Sequence, residues 1–117
     1  MYKVQFSPLA KEDLIKIKVY LEEAFENEIA YEKIRKLLDS ISKFETFPLL
    51  GRPLMNVIDI PTDYMYFIVE KNYVFYRLEQ ETVRIIRIID TRQDYINILF
   101  RKWKNRIQVL YGEPYHK

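Results

Sequence analysis

The chain has 117 residues, of which 49% are hydrophobic and 31% charged, a mixture typical of one soluble globular domain. It contains 2 glycines, no cysteine and a single histidine, His116. These counts exclude a glycine-rich phosphate loop, disulfides and cysteine nucleophiles, and they argue against histidine-based metal sites and triads. We therefore expect no metal and no cofactor. Because there is no run of about 18 apolar residues and no signal-like segment, we expect a cytoplasmic protein without membrane contact.

The net charge of +2 is divided unevenly along the chain. Residues 9–47 hold seven Lys or Arg and nine Asp or Glu, a charge balance of −2. Residues 71–106 hold nine Lys or Arg and four Asp or Glu, a charge balance of +5. The C-terminal part is therefore expected to attract a polyanion or an acidic protein partner. We expect the positive potential to gather around Arg87, Arg92, Arg101, Lys102 and Lys104.

The first half of the chain predicts a strand followed by a hairpin of two helices. Alternating apolar residues predict a strand over residues 2–6. Ser7-Pro8 suits the start of a helix that runs to about residue 25, because serine caps helices and proline fits the first helical position. Asn27 is the predicted N-cap of a second helix, and Pro48 limits its end. The expected buried stripe consists of Leu14, Ile17, Leu21, Ile34, Leu37 and Ile41.

The second half predicts a sheet. Residues 48–63 are rich in turn formers and predict a loop that packs back on the core. Three runs dense in Val, Ile, Tyr and Phe then predict an antiparallel meander over residues 64–70, 73–78 and 82–89. Thr91 or Asp94 is expected to cap a last helical stretch. We expect the helix hairpin to pack on Phe75 and Ile86 of this sheet.

This order of elements predicts an α+β fold, in which an N-terminal strand and a helix hairpin pack on an antiparallel sheet. We expect residues 1–100 to form the single domain and residues 101–117 to be a basic C-terminal extension.

Five local signatures occur at the spacing of a known toxin superfamily. They are SPLAKEDL at 7–14, PLLGRP at 48–53, YVFYRL at 73–78, VRIIRIID at 83–90 and TRQDY at 91–95. Together they resemble the RelE/ParE superfamily of toxins from bacterial type II toxin–antitoxin modules. The resemblance implies a growth-arresting toxin of the kind linked to plasmid stabilisation, and a cognate antitoxin that neutralises it.

The resemblance leaves three functions open. ParE-like members inhibit DNA gyrase and are not enzymes, whereas RelE-like members cleave mRNA in the ribosome. The chain could also be an interaction module that only binds its antitoxin. The ParE-like pattern is favoured, because Tyr73 and Val74 stand where RelE-like sequences usually carry a basic residue, and Asp90 stands where some relatives carry histidine. An arginine cannot replace that histidine as a proton shuttle, because its pKa exceeds about 12.

The candidate site residues differ between these functions. A metal-independent endoribonuclease would use a catalytic set of Arg77, Arg87, Arg92 and Tyr95. The surface for the target (gyrase, or the ribosome with mRNA) or for the antitoxin would comprise Arg52, Arg87, Arg92, Arg101, Lys102, Trp103 and Lys104.

Each candidate also has a purely structural interpretation. Arg77 and Arg87 would then pair with Glu79, Glu81 or Asp90 across the sheet. Arg92 would pair with Asp94 at the start of a helix, and Tyr95 would belong to the core.

Overall fold

The computed structural model describes residues 1–100 of the chain. Five strands, two long helices and two short 3₁₀ turns are defined, and residues 95–100 form a further helical segment. In chain order they are β1 (Lys3–Phe6), α1 (Pro8–Ala24), α2 (Asn27–Ser42), a 3₁₀ turn (Lys43–Glu45), β2 (Arg52–Pro53), a second 3₁₀ turn (Leu54–Asn56), β3 (Met65–Val69), β4 (Asn72–Glu79) and β5 (Thr82–Asp90).

The five strands form one sheet in the order β1-β5-β4-β3-β2. The meander predicted from the sequence is confirmed, since β3, β4 and β5 pair antiparallel in succession. β1 lies beside β5 and runs parallel to it, so the sheet is mostly rather than wholly antiparallel. Residues 48–63 pack back on the core as predicted, through Leu54, Ile58 and Ile60, but they also contain β2, which pairs with Met65 and Tyr66 of β3.

The helix boundaries follow the predicted caps with one exception. Ser7 caps α1 as predicted, and its Oγ accepts the backbone N–H of Ala10 at 3.0 Å. The N-cap of α2 is Glu26 and not Asn27, and it makes no side-chain capping bond. In residues 1–100, no helix is long and apolar enough to cross a membrane.

The sheet separates two apolar clusters. The cluster between the sheet and the helix hairpin includes Ala10, Leu37, Ile41, Phe44, Val74, Tyr76, Val83 and Ile85. The cluster on the opposite face is built on Leu54, Phe75, Ile89 and Phe100, with Ile86 packed against it. The prediction that the helix hairpin packs on Phe75 and Ile86 is therefore wrong, because side chains alternate along a strand and these two face the other way.

An irregularity in β5 shapes the junction with α1. Tyr76 pairs with Ile85, but the preceding residue Phe75 pairs with Arg87, so Ile86 is an extra residue in the ladder. Such a β-bulge shifts the alternation of side chains beyond it. β1 pairs only as far as Ile85, so the outer edge of β5 is left to α1 from Ile86 onward.

Candidate functional site

The start of α1 is bonded to the bulged part of β5. The Ser7 hydroxyl donates to the carbonyl oxygen of Ile86 at 2.8 Å, and the Ser7 N–H donates to Ile85. Nearly two helical turns later, Asp13 Oδ2 accepts the backbone N–H of Ile88 at 2.9 Å. These bonds continue the ladder of β5 where β1 has ended, and so satisfy backbone groups that would otherwise lack partners.

Arg87 is bound at the same junction. Its Nε donates to Asp13 Oδ2 at 2.8 Å and its Nη2 donates to Asp13 Oδ1 at 2.9 Å, the two-point geometry in which arginine binds carboxylate most strongly. The hydrogen bond to Asp13 raises the pKa of Arg87, although burial acts in the opposite direction. The structural interpretation of Arg87 had named Glu79, Glu81 or Asp90 as its partner. It is wrong in that respect, because the partner lies on α1.

Arg92 lies just beyond the end of β5 and pairs with Asp90. Its Nε and Nη2 donate to the two oxygens of Asp90 at 2.9 and 3.0 Å, and its backbone N–H donates to Oδ1 at 2.8 Å. These bonds lower the pKa of Asp90. The expected pairing of Arg92 with Asp94 is not formed. Asp94 instead accepts the N–H of Asn97 at 3.2 Å, which confirms it as the cap of the helical segment at 95–100.

Arg77 lies near the opposite end of the sheet. Its Nε is 3.3 Å from Glu79 Oε2 and 3.8 Å from Asp63 Oδ2, and Arg84 Nε donates to the other oxygen of Glu79 at 3.2 Å. Arg77 pairs across the ladder with Arg84, six residues before Asp90. At about 3.3 Å per residue, Arg77 and the Asp90–Arg92 pair are separated by roughly 20 Å along β5. The structure therefore does not bring Arg77 and Arg92 together.

Tyr95 packs in a group of aromatic rings on the sheet face away from the helix hairpin. Its ring centroid is 5.0 Å from that of Tyr73 and 5.2 Å from that of Phe75. Burial, followed by the neighbouring phenols of Tyr73 and Tyr66, raises the pKa of Tyr95. Tyr95 is partly buried there and packs against the cluster of Phe75 and Ile89, at the margin of the core to which the structural interpretation assigned it.

Arg52 differs from the other predicted arginines. It lies in β2 opposite Tyr66, at the edge of the sheet, and is exposed. Its guanidinium has no ion-pair partner among residues 1–100, whereas the other five arginines of this part of the chain each pair with an acidic side chain. The remaining predicted contacts, Arg101, Lys102, Trp103 and Lys104, lie outside the described residues.

Two structural residues escaped the sequence analysis. Asp13 lies on the same helical stripe as Ala10 and Ile17. Because acidic side chains are rarely buried without a partner, a carboxylate on an apolar stripe could have predicted a buried ion pair. Tyr76 is fully buried, and its hydroxyl bonds the loop before β2 at Pro48 and Gly51. Its apolar strand gave no sign of that role. No group of three or more His, Asp or Glu side chains suited to a metal ion occurs within residues 1–100.

Comparison with models of known protein families identifies the family of this chain. The sequence model of the ParE toxin of type II toxin–antitoxin systems, parDE, matches residues 4–95. The chain belongs to the ParE toxin family. The match extends from β1 to the beginning of the helical segment at 95–100, and it confirms the resemblance inferred from the local signatures. This ParE-family chain is accordingly a toxin of a type II toxin–antitoxin system.

One solved structure shares the fold of this ParE-family toxin, and two others are similar to it at lower TM-scores. A chromosomal ParDE toxin–antitoxin system from P. aeruginosa matches with a TM-score of 0.64 and 17% identity, over 77% of this chain and 96% of that chain. The RelBE2 toxin–antitoxin complex from Mycobacterium tuberculosis matches with a TM-score of 0.49 and 21% identity, over 76% and 96%. A conserved hypothetical protein from Helicobacter pylori matches with 0.43 and 13%, over 77% and 94%. No curated protein matches the sequence significantly.

Proposed function

We propose that this toxin arrests growth by binding and inhibiting DNA gyrase, and that a cognate antitoxin neutralises it. The observation that supports this proposal most directly is the family match over residues 4–95. A gyrase inhibitor of this kind acts in the cytoplasm and needs no catalytic residue of its own.

The surroundings of the arginines favour binding over RNA cleavage. Arg87 is bound to Asp13 and Arg92 to Asp90, while Arg77 lies next to Glu79 near the far end of the sheet. A metal-independent ribonuclease needs a phosphate-binding cation together with groups that give and take protons at one point. Arginine supplies only the first of these functions. Tyr95, the candidate acid, packs against the rings of Tyr73 and Phe75.

An antitoxin is the expected protein partner. The P. aeruginosa structure with the same fold is of a ParDE toxin–antitoxin system. The exposed arginine Arg92 would suit an acidic segment of such a partner, because charge complementarity speeds association and fixes the register of binding.

Cell growth and purified gyrase test the proposal together. The toxin is expressed from an inducible promoter with and without its antitoxin, and the purified full-length chain is titrated into a gyrase supercoiling assay. We expect growth arrest with a DNA-damage response, inhibition of supercoiling, and reversal of both by antitoxin. Arrest accompanied by cleaved ribosome-bound transcripts and by normal supercoiling would favour RNA cleavage instead. Antitoxin binding without arrest would favour a pure interaction module.

A further inference from the structure

The segment that leads into β2 exposes large apolar side chains. We call residues 47–52, which end at the first residue of β2, the apolar loop. The side chain of Phe47 is 61% exposed and that of Leu49 is 68% exposed, and Leu50 follows directly. Large exposed apolar patches on soluble domains mark interaction surfaces, whereas single exposed apolar residues are ordinary. Phe47, Leu49 and Leu50 belong to neither of the two apolar clusters on the faces of the sheet.

The backbone of the apolar loop is fixed from beneath by Tyr76. The hydroxyl of this buried tyrosine donates to the carbonyl oxygen of Pro48 at 2.9 Å and accepts the N–H of Gly51 at 2.9 Å. Gly51 is needed there, because a Cβ atom at this position would lie 2.4 Å from the carbonyl oxygen of Tyr66 and 2.8 Å from the Tyr76 hydroxyl. The loop is therefore organised before any partner binds, which lowers the entropic cost of association.

A free cation adjoins these apolar side chains. Arg52 follows Gly51 directly, is exposed, and is the one arginine of residues 1–100 without an acidic partner. Arginine and aromatic residues such as phenylalanine are enriched at protein interfaces, and arginine is one of the residue types enriched at hot spots. A carboxylate on the partner would form with Arg52 the pairing that the other arginines form within the chain.

We propose that the apolar loop is the docking surface for the toxin's protein target, and that the target contributes an apolar depression with a carboxylate at its rim. The identity of that target rests on the proposed function. A fixed loop with projecting side chains is complementary to a preformed depression in a folded enzyme. An extended antitoxin segment would instead use main-chain hydrogen bonds along a strand edge. β2 pairs only with Met65 and Tyr66 of β3. The rest of that strand, residues 67–69, therefore offers a strand edge for such an antitoxin segment.

The chain's own C-terminal extension is a poor occupant of this surface on charge grounds. Residues 101–117 carry five Lys or Arg and one Glu, so their net charge repels Arg52. A target surface with a carboxylate has the opposite and favourable charge.

Substitutions in the loop, compared with a matched control, test the proposal. Leu49→Ser and Arg52→Glu remove the apolar and the charged contact, and Ile15→Ser changes a similarly exposed residue, 62%, on α1. We expect each loop variant to raise the concentration needed for half-inhibition of gyrase about tenfold or more. Antitoxin affinity and the thermal unfolding midpoint should stay at wild-type values, and the Ile15→Ser protein should inhibit normally.

Three outcomes would overturn the assignment. Loop variants that inhibit gyrase normally but bind antitoxin weakly would make the apolar loop an antitoxin surface. Variants that change neither property would show that it docks nothing. A shift in the fluorescence of Trp103, the one tryptophan of the chain, on Leu49→Ser substitution in the free toxin would make the extension the occupant.

Failure of the proposed function is distinguishable from failure of the loop assignment. If the wild-type toxin arrests growth without inhibiting gyrase, the target is a different protein and growth arrest becomes the readout. If Leu49→Ser relieves the growth arrest and Ile15→Ser does not, the result would support the docking surface. Growth arrest by the wild type, the Leu49→Ser protein and the Ile15→Ser protein alike would refute it. A wild-type chain that never arrests growth refutes both proposals.

Discussion

Asp13 and Arg87 are 74 residues apart in the sequence, and two hydrogen bonds of 2.8 and 2.9 Å join their side chains. Asp13 also accepts the N–H of Ile88, so one carboxylate binds both the side chain and the backbone of β5. Because Asp13 is on α1, this carboxylate fixes the position of the helix hairpin against the sheet. It also fixes the position of Arg87, one of the residues predicted to contact the target or the antitoxin.

Replacing Asp13 is expected to destabilise the fold strongly. Asp13→Ala leaves the half-buried guanidinium of Arg87 and the N–H of Ile88 without partners, at a cost of about 3 kcal/mol in the free energy of unfolding. The neighbouring Glu12 is exposed, and Glu12→Ala should change that free energy by less than about 0.5 kcal/mol. Urea unfolding of both variants checks this difference. Equal losses would show that the junction does not stabilise the fold.

Leu37 and Leu38 are adjacent on α2 but differ in burial. Leu37 is 3% exposed within the cluster beneath the helix hairpin, whereas Leu38 is 39% exposed. Leu37→Ala should cost about 2–5 kcal/mol because it leaves a cavity, and Leu38→Ala should cost less than about 1 kcal/mol. Unfolding in urea compares the two directly, and a reversed order would contradict the assignment of the buried face.

Tyr76 is expected to stabilise the apolar loop through its hydroxyl alone. Tyr76→Phe keeps the ring but leaves the Pro48 carbonyl and the Gly51 N–H without this partner, at a cost of about 1–2 kcal/mol in the free energy of unfolding. Hydrogen exchange of the Gly51 amide should quicken in the variant. Unchanged exchange would show that another contact holds the loop.

The same hydroxyl predicts a pH dependence. Burial raises the pKa of Tyr76 above its ordinary value of 10.0. The folded state then keeps the proton at a pH where the unfolded chain has released it, so this stabilisation is complete below pH 10 and is lost as the pH rises above it. The free energy of unfolding should therefore fall more steeply above pH 10 in the wild type than in the Tyr76→Phe protein. Parallel pH profiles of the two proteins would contradict this account.

Local patterns in the sequence were enough to predict the order of elements, since caps and periodicity are short-range signals. Ser7 and Asp94 cap their helices as predicted, and the three strands of the meander form at the expected places. The faces of the sheet were predicted less well. The bulge at Ile86 depends on pairing between strands, and no local pattern showed that Phe75 packs away from the helix hairpin.

The partners of the arginines were the least predictable part of the site. Arg87 was assigned to acids near it in the sequence, but it binds Asp13. Asp13 lies beside β5 because β1, which leads into α1, pairs parallel with β5. The segment at residues 48–63 was predicted to pack back on the core, and Leu54 does so, but Leu49 near its start is exposed. Its exposure depends on the Tyr76 hydroxyl, which fixes the backbone from a strand 25 residues away.

Arg92 is an ion-paired arginine whose proposed role in binding is separable from stability. Its side chain is 76% exposed, and its bonds to Asp90 orient the guanidinium without burying it. Arg92→Ala should therefore weaken gyrase inhibition while the urea midpoint hardly changes, because a surface ion pair adds little to stability. Arg35→Ala is the matched control, since Arg35 is also exposed and ion-paired but lies on α2.

Titration of the two purified variants into the supercoiling assay measures the difference. We expect the Arg92→Ala protein to need about tenfold more toxin for half-inhibition, the loss typical of a charged group at an interface hot spot. The Arg35→Ala protein should match the wild type. An Arg92→Lys variant should inhibit only partly, because lysine keeps the charge but loses the planar two-point geometry. If the Arg92→Ala protein inhibits gyrase as well as the wild type and binds antitoxin equally tightly, Arg92 lies outside both contact surfaces.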